Sequence, residues 1–172
     1  MLGKREAATV TQEGKSLKKH IEGVLFRPAV LHPDERGELC EIYNPAWAIH
    51  PEPLRYIYMA TVWPGKVKGW IYHELQDDRI FGAVGYMKWV LYDLREDSPT
   101  RGMINEFHLT ERNRGLLIVP KFVAHAVQNI GTCDAMFVNT PTRPYNYAAP
   151  DKIRIPFDSP DIPYSFDRGP GW

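Results

Sequence analysis

The sequence predicts an all-β protein, a sandwich or a small barrel, and two observations carry this prediction. The chain is built of apolar runs of about five to eight residues with the β-branched and aromatic composition of strands. Turn-forming residues separate these runs at close spacing, as in HPDERG, WPGK, REDSPTRG, TERNRG and NIGTCD. Many short strands joined by such turns are typical of sandwiches and barrels.

The elements follow in order along the chain. The polar, basic residues 1–20 are expected to form a flexible arm, and residues 21–150 a single compact domain. The proline-rich residues 151–172 are expected to pack irregularly on the barrel as a tail. Strands are expected within GVLFRPAVL, GELCEIY, PLRYIYMATVW, KGWIYHEL, RIFGAVG, YMKWVLYDL, MINEFHL, GLLIVP, AHAVQNI and AMFVNT.

The composition excludes several classes of protein. The 172 residues suit one domain with a real core. Lysine plus arginine and aspartate plus glutamate are each 21, so no charge excess favours nucleic acid or an anionic membrane. No run approaches the roughly 18 apolar residues of a membrane span, and the N-terminus has no signal-peptide pattern. Cys40 and Cys133 lack a C-x-x-C spacing, so we expect a cytoplasmic protein with reduced thiols.

The segment KGWIYHELQDDRIF holds the candidate site. His73 precedes Asp77 and Asp78 by four and five residues, which suits a metal site, an acid/base site or a solvated turn. Side chains at i and i+2 of a strand share a face, so Ile71 and His73 should point the same way. His125, on a later strand, can bring a second imidazole into the same barrel interior.

Two segments resemble the cupin double motif, which implies a jelly-roll barrel. In the first, isoleucine stands where the motif has its first histidine, and in the second, phenylalanine replaces a glycine. The matching positions of the first are Gly65, Ile71, His73, Asp77 or Asp78, and Gly85, and those of the second are Gly115, Pro120, Phe122, His125 and Asn129.

A closer resemblance, over about residues 23–150, is to the dTDP-4-dehydrorhamnose 3,5-epimerase family. YDLREDSPTRG, HPDERGELCEIY, IVPKFVAHAVQNI and the pair Lys68-Gly69 carry it. The resemblance implies an all-β cupin jelly roll, a homodimer, and a site without metal or other cofactor. That site would bind a nucleotide-linked 4-keto-6-deoxy sugar.

The chain departs from this family at its catalytic positions. The family's histidine base aligns with Ile71, and its tyrosine acid aligns with Val138, beside Phe137. Neither position can carry a proton. Family contacts on the third strand fall on Tyr56, Tyr58 and Ala60. We therefore do not expect 3,5-epimerisation by the family mechanism.

Proton transfer next to a keto group remains open to other residues, since it requires a base, a donor for the oxyanion and a water-poor site. His73 is the expected base, and His125 is its expected partner or the residue that fixes its tautomer. Lys68, Arg79 or a tyrosine could stabilise the enolate oxygen. The full set of expected substrate contacts is Arg36, Lys68, Arg79, Tyr56, Tyr58 and Tyr72.

Three functions remain open. The first is a nucleotide-sugar isomerase or epimerase of surface polysaccharide or secondary-metabolite pathways. The second is a non-catalytic cupin that binds sugar nucleotides, which the lost catalytic positions favour. The third is a metal-dependent cupin enzyme that uses His73, His125 and either Asp77 or Asp78. A purely structural alternative is that Asp77, Asp78 and Arg79 form a solvated hairpin turn.

Overall fold

The structure is a computed structural model that describes residues 7–156 and 159–166. Predictions for residues 1–6, 157–158 and 167–172 lie outside the described residues. Among the described residues, the one helix is a short 3-10 helix, Pro45–Trp47, and the regular structure is otherwise β. The strands are β1 Leu25–Pro28, β2 His32–Asp34, β3 Gly37–Leu39, β4 Tyr58–Val62, β5 Val67–Tyr72, β6 Asp78–Val84, β7 Met87–Asp93, β8 Ile104–Leu109, β9 Gly115–Val119, β10 Val123–Asn129, β11 Ala135–Asn139 and β12 Ile153–Arg154.

Two five-stranded antiparallel sheets, ordered β1-β9-β6-β11-β4 and β12-β5-β10-β7-β8, form the body of the molecule. Strands β2 and β3 form a separate hairpin. The predicted all-β jelly roll is confirmed. In the described part of the chain, no helix is long and apolar enough to cross a membrane.

The main core lies between the two sheets. Strand β10 shows how alternation builds it, since Val123 and Val127 face this core, whereas Ala124 and Ala126 face a second cluster on the outer side of their sheet. Ile162, from the tail, is buried in that second cluster. The tail residues that the structure describes thus cover the face of the sheet that points away from the barrel interior.

Two short strands were not predicted. The segment HPDERG, predicted as a turn, contains most of the β2–β3 hairpin. The tail, predicted as irregular, contains β12, which pairs with Ile71 and Tyr72 of β5. The predicted strand GELCEIY ends early, at Leu39. These differences place a tail segment directly beside the strand that leads to His73.

The REDSPTRG segment forms a turn after β7 that side-chain hydrogen bonds to Asp93 stabilise. Asp93 Oδ2 accepts hydrogen bonds from Ser98 Oγ at 2.6 Å and Thr100 Oγ1 at 2.7 Å, and Asp93 Oδ1 accepts one from Arg95 Nε at 2.8 Å. Arg95 also donates to the carbonyl of Glu22. This motif therefore ties the start of the domain to the barrel.

Candidate active site

A cleft of about 1010 Å³ opens at one mouth of the barrel. The start of β4, the end of β5, the residues before β6 and the segment after β11 surround it. Ile71 and His73 both line the cleft, as their spacing on one strand face predicts. Tyr56 and Tyr58 line it from the side of β4.

His73, Asp78 and His125 form a buried cluster below this cleft. The Nε2 atoms of both histidines lie 3.3 Å from Asp78 Oδ2, and the ring centroids are 5.7 Å apart. The exposed fractions are 7% for His73, 2% for Asp78 and 3% for His125. His73 reaches the cleft, whereas Asp78 and His125 lie behind it. The structure thus joins the two matched motifs through one carboxylate.

The hydrogen bonds of the two rings define where their protons lie. His73 Nδ1 bonds the backbone carbonyl of Asp151, and His125 Nδ1 bonds the carbonyl of Val123 at 3.1 Å. A carbonyl only accepts, so both Nδ1 atoms carry protons. If both rings were neutral, two lone pairs at Nε2 would face the negative Asp78. The cluster therefore requires at least one additional positive charge, either a proton or a metal cation.

The pKa values of the cluster shift in the directions that this charge requires. Burial lowers the pKa of His73, but the hydrogen bond and charge of Asp78, together with the Asp151 carbonyl, outweigh it and raise that pKa. Burial disfavours the charged form of Asp78, but the hydrogen bonds from His125 and His73 hold its pKa well below the usual range. An imidazolium–carboxylate arrangement is therefore favoured at this site.

The solvated-turn interpretation of Asp77, Asp78 and Arg79 is wrong. Arg79 is fully buried at 0% exposure, and its guanidinium is bound to the segments on both sides of it rather than directed into the cleft. It donates to Tyr43 Oη and to the carbonyls of Glu52, Pro53, Thr140 and Pro141. Arg79, expected as a substrate contact, instead links the segment before β4 to the end of β11.

The other expected contacts divide into two groups. Tyr56 and Tyr58 line the cleft with ring centroids 5.8 Å apart. Arg36 pairs with Asp34 on the exposed hairpin, and Lys68 is exposed on β5. Within the described part of the chain, neither these two cations nor Tyr72, which lies near Phe122, lines the cleft. The expected set therefore does not converge on one cavity of a single chain.

Sequence reasoning missed His50, which lies 27 residues from its partner. Its Nε2 donates to Asp77 Oδ2 at 2.9 Å, because its Nδ1 already accepts the backbone N–H of Glu52. Both ring nitrogens are thus engaged. Asp77 therefore anchors the segment before β4, and Asp78 alone of the two aspartates serves the histidine cluster.

Asp151 and Lys152, in the segment before β12, were also missed. The Asp151 carboxylate accepts the backbone N–H groups of Glu74, Leu75 and Gln76 at 2.9–3.1 Å, while its carbonyl bonds His73. Lys152 lines the cleft, and burial, with the nearby charge of Arg154, lowers its pKa. No local motif marked these residues, because their partners lie more than 70 positions away.

Comparisons with known proteins agree with this architecture. The family model for dTDP-4-dehydrorhamnose 3,5-epimerase matches residues 18–167. A spore coat polysaccharide biosynthesis protein of Bacillus subtilis is 35% identical over 151 residues, which cover 86% of this chain and 97% of that protein. A probable low-salt glycan biosynthesis epimerase of Haloferax volcanii is 33% identical over 140 residues, 81% and 90% of the two chains.

Among solved structures, the chain is similar to a dTDP sugar isomerase from Desulfovibrio desulfuricans. The TM-score is 0.78 at 29% sequence identity, and the match covers 84% of this chain and 91% of that one.

Proposed function

The chain belongs to the dTDP-4-dehydrorhamnose 3,5-epimerase family, and on this premise we propose that it is a sugar isomerase or epimerase. Its substrate would be a nucleotide-linked 4-keto-6-deoxyhexose, and it would act by proton transfer next to the keto group. The observation that carries the proposal is the His73–Asp78–His125 cluster, because one of its imidazoles lies at the cleft surface. Ile71, at the family's base position, has no proton to exchange.

In this proposal, His73 carries the proton and His125 supports it through Asp78. A carboxylate behind an imidazole stabilises the imidazolium that forms when the ring takes a proton. Both nitrogens of His73 are hydrogen-bonded in the structure. The sugar would therefore replace the Asp151 carbonyl at Nδ1 before transfer, as is common when catalytic hydrogen bonds form only with substrate.

The charges around the cleft support an anionic substrate. Lys121, Arg143 and Lys152 line it. Two of the acidic residues that line the cleft, Asp77 and Asp151, direct their carboxylates to protein donors. Lysine and arginine are the usual partners of phosphate groups. A nucleotide-linked sugar could therefore bind with its diphosphate at these cations and its sugar next to His73.

A metal-dependent enzyme is the second candidate, and the proton positions of the histidines favour it. Both Nδ1–H groups donate to carbonyls, as metal-bound histidines commonly do, and the three candidate ligand atoms lie within 4.8 Å of one another. Two histidines and one carboxylate are the ligands of many iron(II) sites. Metal analysis of the purified protein separates the candidates, since stoichiometric iron, manganese or zinc lost together with activity on chelation supports the second.

We also propose a homodimer and a cytoplasmic location. Strand β4 lies at the edge of its sheet, and Met59 and Trp63, on or next to it, are 64% and 67% exposed. Apolar sheet edges invite pairing with a second chain. Cys40 and Cys133 are free thiols, which suits a reducing compartment.

Deuterium wash-in from heavy water tests the main proposal. The protein is incubated with a panel of dTDP-4-keto-6-deoxyhexoses, and carbon-bound deuterium is measured by mass spectrometry. The wild-type chain should exchange, and His73→Asn should lower the rate at least about 10²-fold, because it removes the proton carrier. His108→Asn, which alters an exposed histidine outside the cleft, is the matched control.

Two outcomes would contradict the proposal in different ways. If the wild-type chain incorporates no deuterium from any sugar of the panel, but still binds dTDP, then the non-catalytic binding protein is the better description. If His73→Asn exchanges at the wild-type rate, proton transfer stands and His73 leaves the mechanism. Circular dichroism of each variant shows that the fold is intact.

A further inference from the structure

Removing a proton next to a keto group places negative charge on the keto oxygen, and a positioned donor stabilises that charge. Strand β11, where the resemblance puts the family's tyrosine acid, offers no such donor at that position. Val138 is apolar, and Phe137 packs against Trp89 with ring centroids 4.9 Å apart. Arg79 is fully engaged with the protein. The donor must come from another residue at the cleft.

Tyr58 has the required position. It begins β4, lies opposite Asn139 in the β4–β11 register, and lines the cleft together with His73. Asn139 Nδ2 donates to Tyr58 Oη at 2.9 Å. Because this bond occupies a lone pair of the phenol oxygen, the hydroxyl proton remains to be donated to another acceptor.

The support behind Tyr58 is rigid. Asn139 is 1% exposed, and its Oδ1 accepts the backbone N–H of Arg79 at 3.1 Å. The amide is thus oriented with its NH₂ group toward Tyr58. The tyrosine itself is 38% exposed, so a ligand in the cleft can reach it while its oxygen is held from behind.

Electrostatics keep this phenol protonated. Burial, followed by the negative charge of Asp78, raises the pKa of Tyr58. The same Asp78 bonds His73, so one carboxylate influences both residues. At neutral pH, Tyr58 therefore keeps its proton and remains a hydrogen-bond donor.

We propose that Tyr58 donates the hydrogen bond that stabilises the enolate oxygen during the reaction, an inference that rests on the proposed function. Once the sugar has replaced the Asp151 carbonyl, neutral His73 holds its one ring proton on Nε2, next to Asp78. Its free Nδ1 lone pair then takes the proton from the carbon next to the keto group, and the ring becomes an imidazolium. The C–H electron pair forms the carbon–carbon double bond, and the keto oxygen becomes an enolate bonded to Tyr58 O–H. Return of a proton from His73 to carbon restores the ketone, and Tyr58 keeps its proton throughout.

Tyr58→Phe tests this role in the full chain, because it removes the hydroxyl and keeps the ring. The deuterium exchange rate into a dTDP-4-keto-6-deoxyhexose should fall about 10²- to 10³-fold, as when one oxyanion donor is removed. KM should change by less than about threefold, since the bond strengthens only as charge develops. Tyr86→Phe, in the turn between β6 and β7, is the control and should match the wild type.

The outcomes separate this inference from the proposed function. If the wild type exchanges deuterium and the rate of Tyr58→Phe is within threefold of the wild-type rate, the role of Tyr58 is overturned and the proposed isomerase function stands. No exchange by the wild type removes both. If Tyr58→Phe does not fold, 3-fluorotyrosine at position 58 replaces it. Its more acidic phenol should make exchange fall at lower pH than in the wild type, and an unchanged pH profile overturns the role.

Discussion

At the scale of single residues, the least predictable feature was the choice between Asp77 and Asp78. Adjacent residues on an extended segment face opposite sides, so only one of them can join His73. The sequence does not reveal which, because it depends on the exact start of β6. In the structure, Asp78 meets both histidines and Asp77 meets His50. The predicted pairing of His73 with His125 needed only the two matched motifs, and the geometry brings them together.

Asp93 provides a residue-scale prediction about acid stability. Burial opposes its ionisation, but bonds from Arg95, Ser98 and Thr100 lower its pKa to about 2. The unfolded value is about 3.9, so ionised Asp93 should contribute about 2 kcal/mol to the free energy of unfolding above that pH. This contribution should disappear as the pH falls from about 4 to about 2.

Urea denaturation at several pH values measures this effect. The difference in unfolding free energy between the wild type and Asp93→Asn should be full at pH 6 and shrink steadily below pH 4. Asp97→Asn, an exposed aspartate in the same turn, should show no such trend. A difference that stays constant down to pH 2 would show that Asp93 does not titrate as described.

At the scale of elements, long alternating runs were predictable and short ones were not. Strands β7 and β10 each have seven residues, which is long enough to show the alternation of side chains between the two faces of a strand. Strands β2 and β12 have three and two, too few for any period to appear. Arg79 was misread because charged residues normally mark turns. Its acceptors are carbonyls 26 to 62 positions away, which no local pattern reveals.

Gly69 provides an element-scale prediction about how β5 meets β10. Its φ is +135°, and a Cβ there would lie 2.4 Å from Ala126 Cβ and 2.6 Å from Ala126 Cα. Gly69→Ala should therefore force β5 away from β10 and lower the unfolding free energy by about 3 kcal/mol. Because His73 follows four residues later, exchange activity should fall as well.

Gly65→Ala is the matched control for this substitution. Gly65 also has a positive φ, +73°, but a Cβ there meets nothing within 4 Å. Gly65→Ala should therefore lower the unfolding free energy only by the strain of placing a side chain at positive φ, about 1 kcal/mol. Denaturant titrations of both variants give the comparison, and equal costs would show that backbone conformation alone, not the approach of β10, requires glycine at position 69.

At the scale of the whole molecule, turn spacing and strand composition predicted a sandwich or small barrel, and the cupin resemblance implied a jelly roll. Neither predicted the cleft. Pocket walls come from segments remote in sequence, including the residues before β4 and after β11. Such walls depend on loop paths, and loops carry no periodicity. The architecture was therefore predictable from the chain, while the shape of the cleft required coordinates.

The proposed homodimer gives the prediction at this scale. Sedimentation velocity should show a dimer at micromolar protein, because a second chain would remove the exposed apolar residues at the β4 edge from water. Met59→Glu should weaken the dimer at least about tenfold, since it adds a charge to that edge. Val10→Glu, which changes an exposed apolar residue of the N-terminal arm, should leave it unchanged. A wild-type chain that sediments as a monomer at this concentration would refute the dimer.

The double attachment of Asp151 has a practical consequence for redesign. Its carboxylate holds the backbone at Glu74, Leu75 and Gln76, and its carbonyl holds the ring of His73. A graft that exchanges residues 144–152 for another sequence, to widen the cleft, would therefore also change the hydrogen bonding of the His73 ring. Keeping aspartate at position 151 is therefore a condition for redesigning this rim without disturbing the proposed proton carrier.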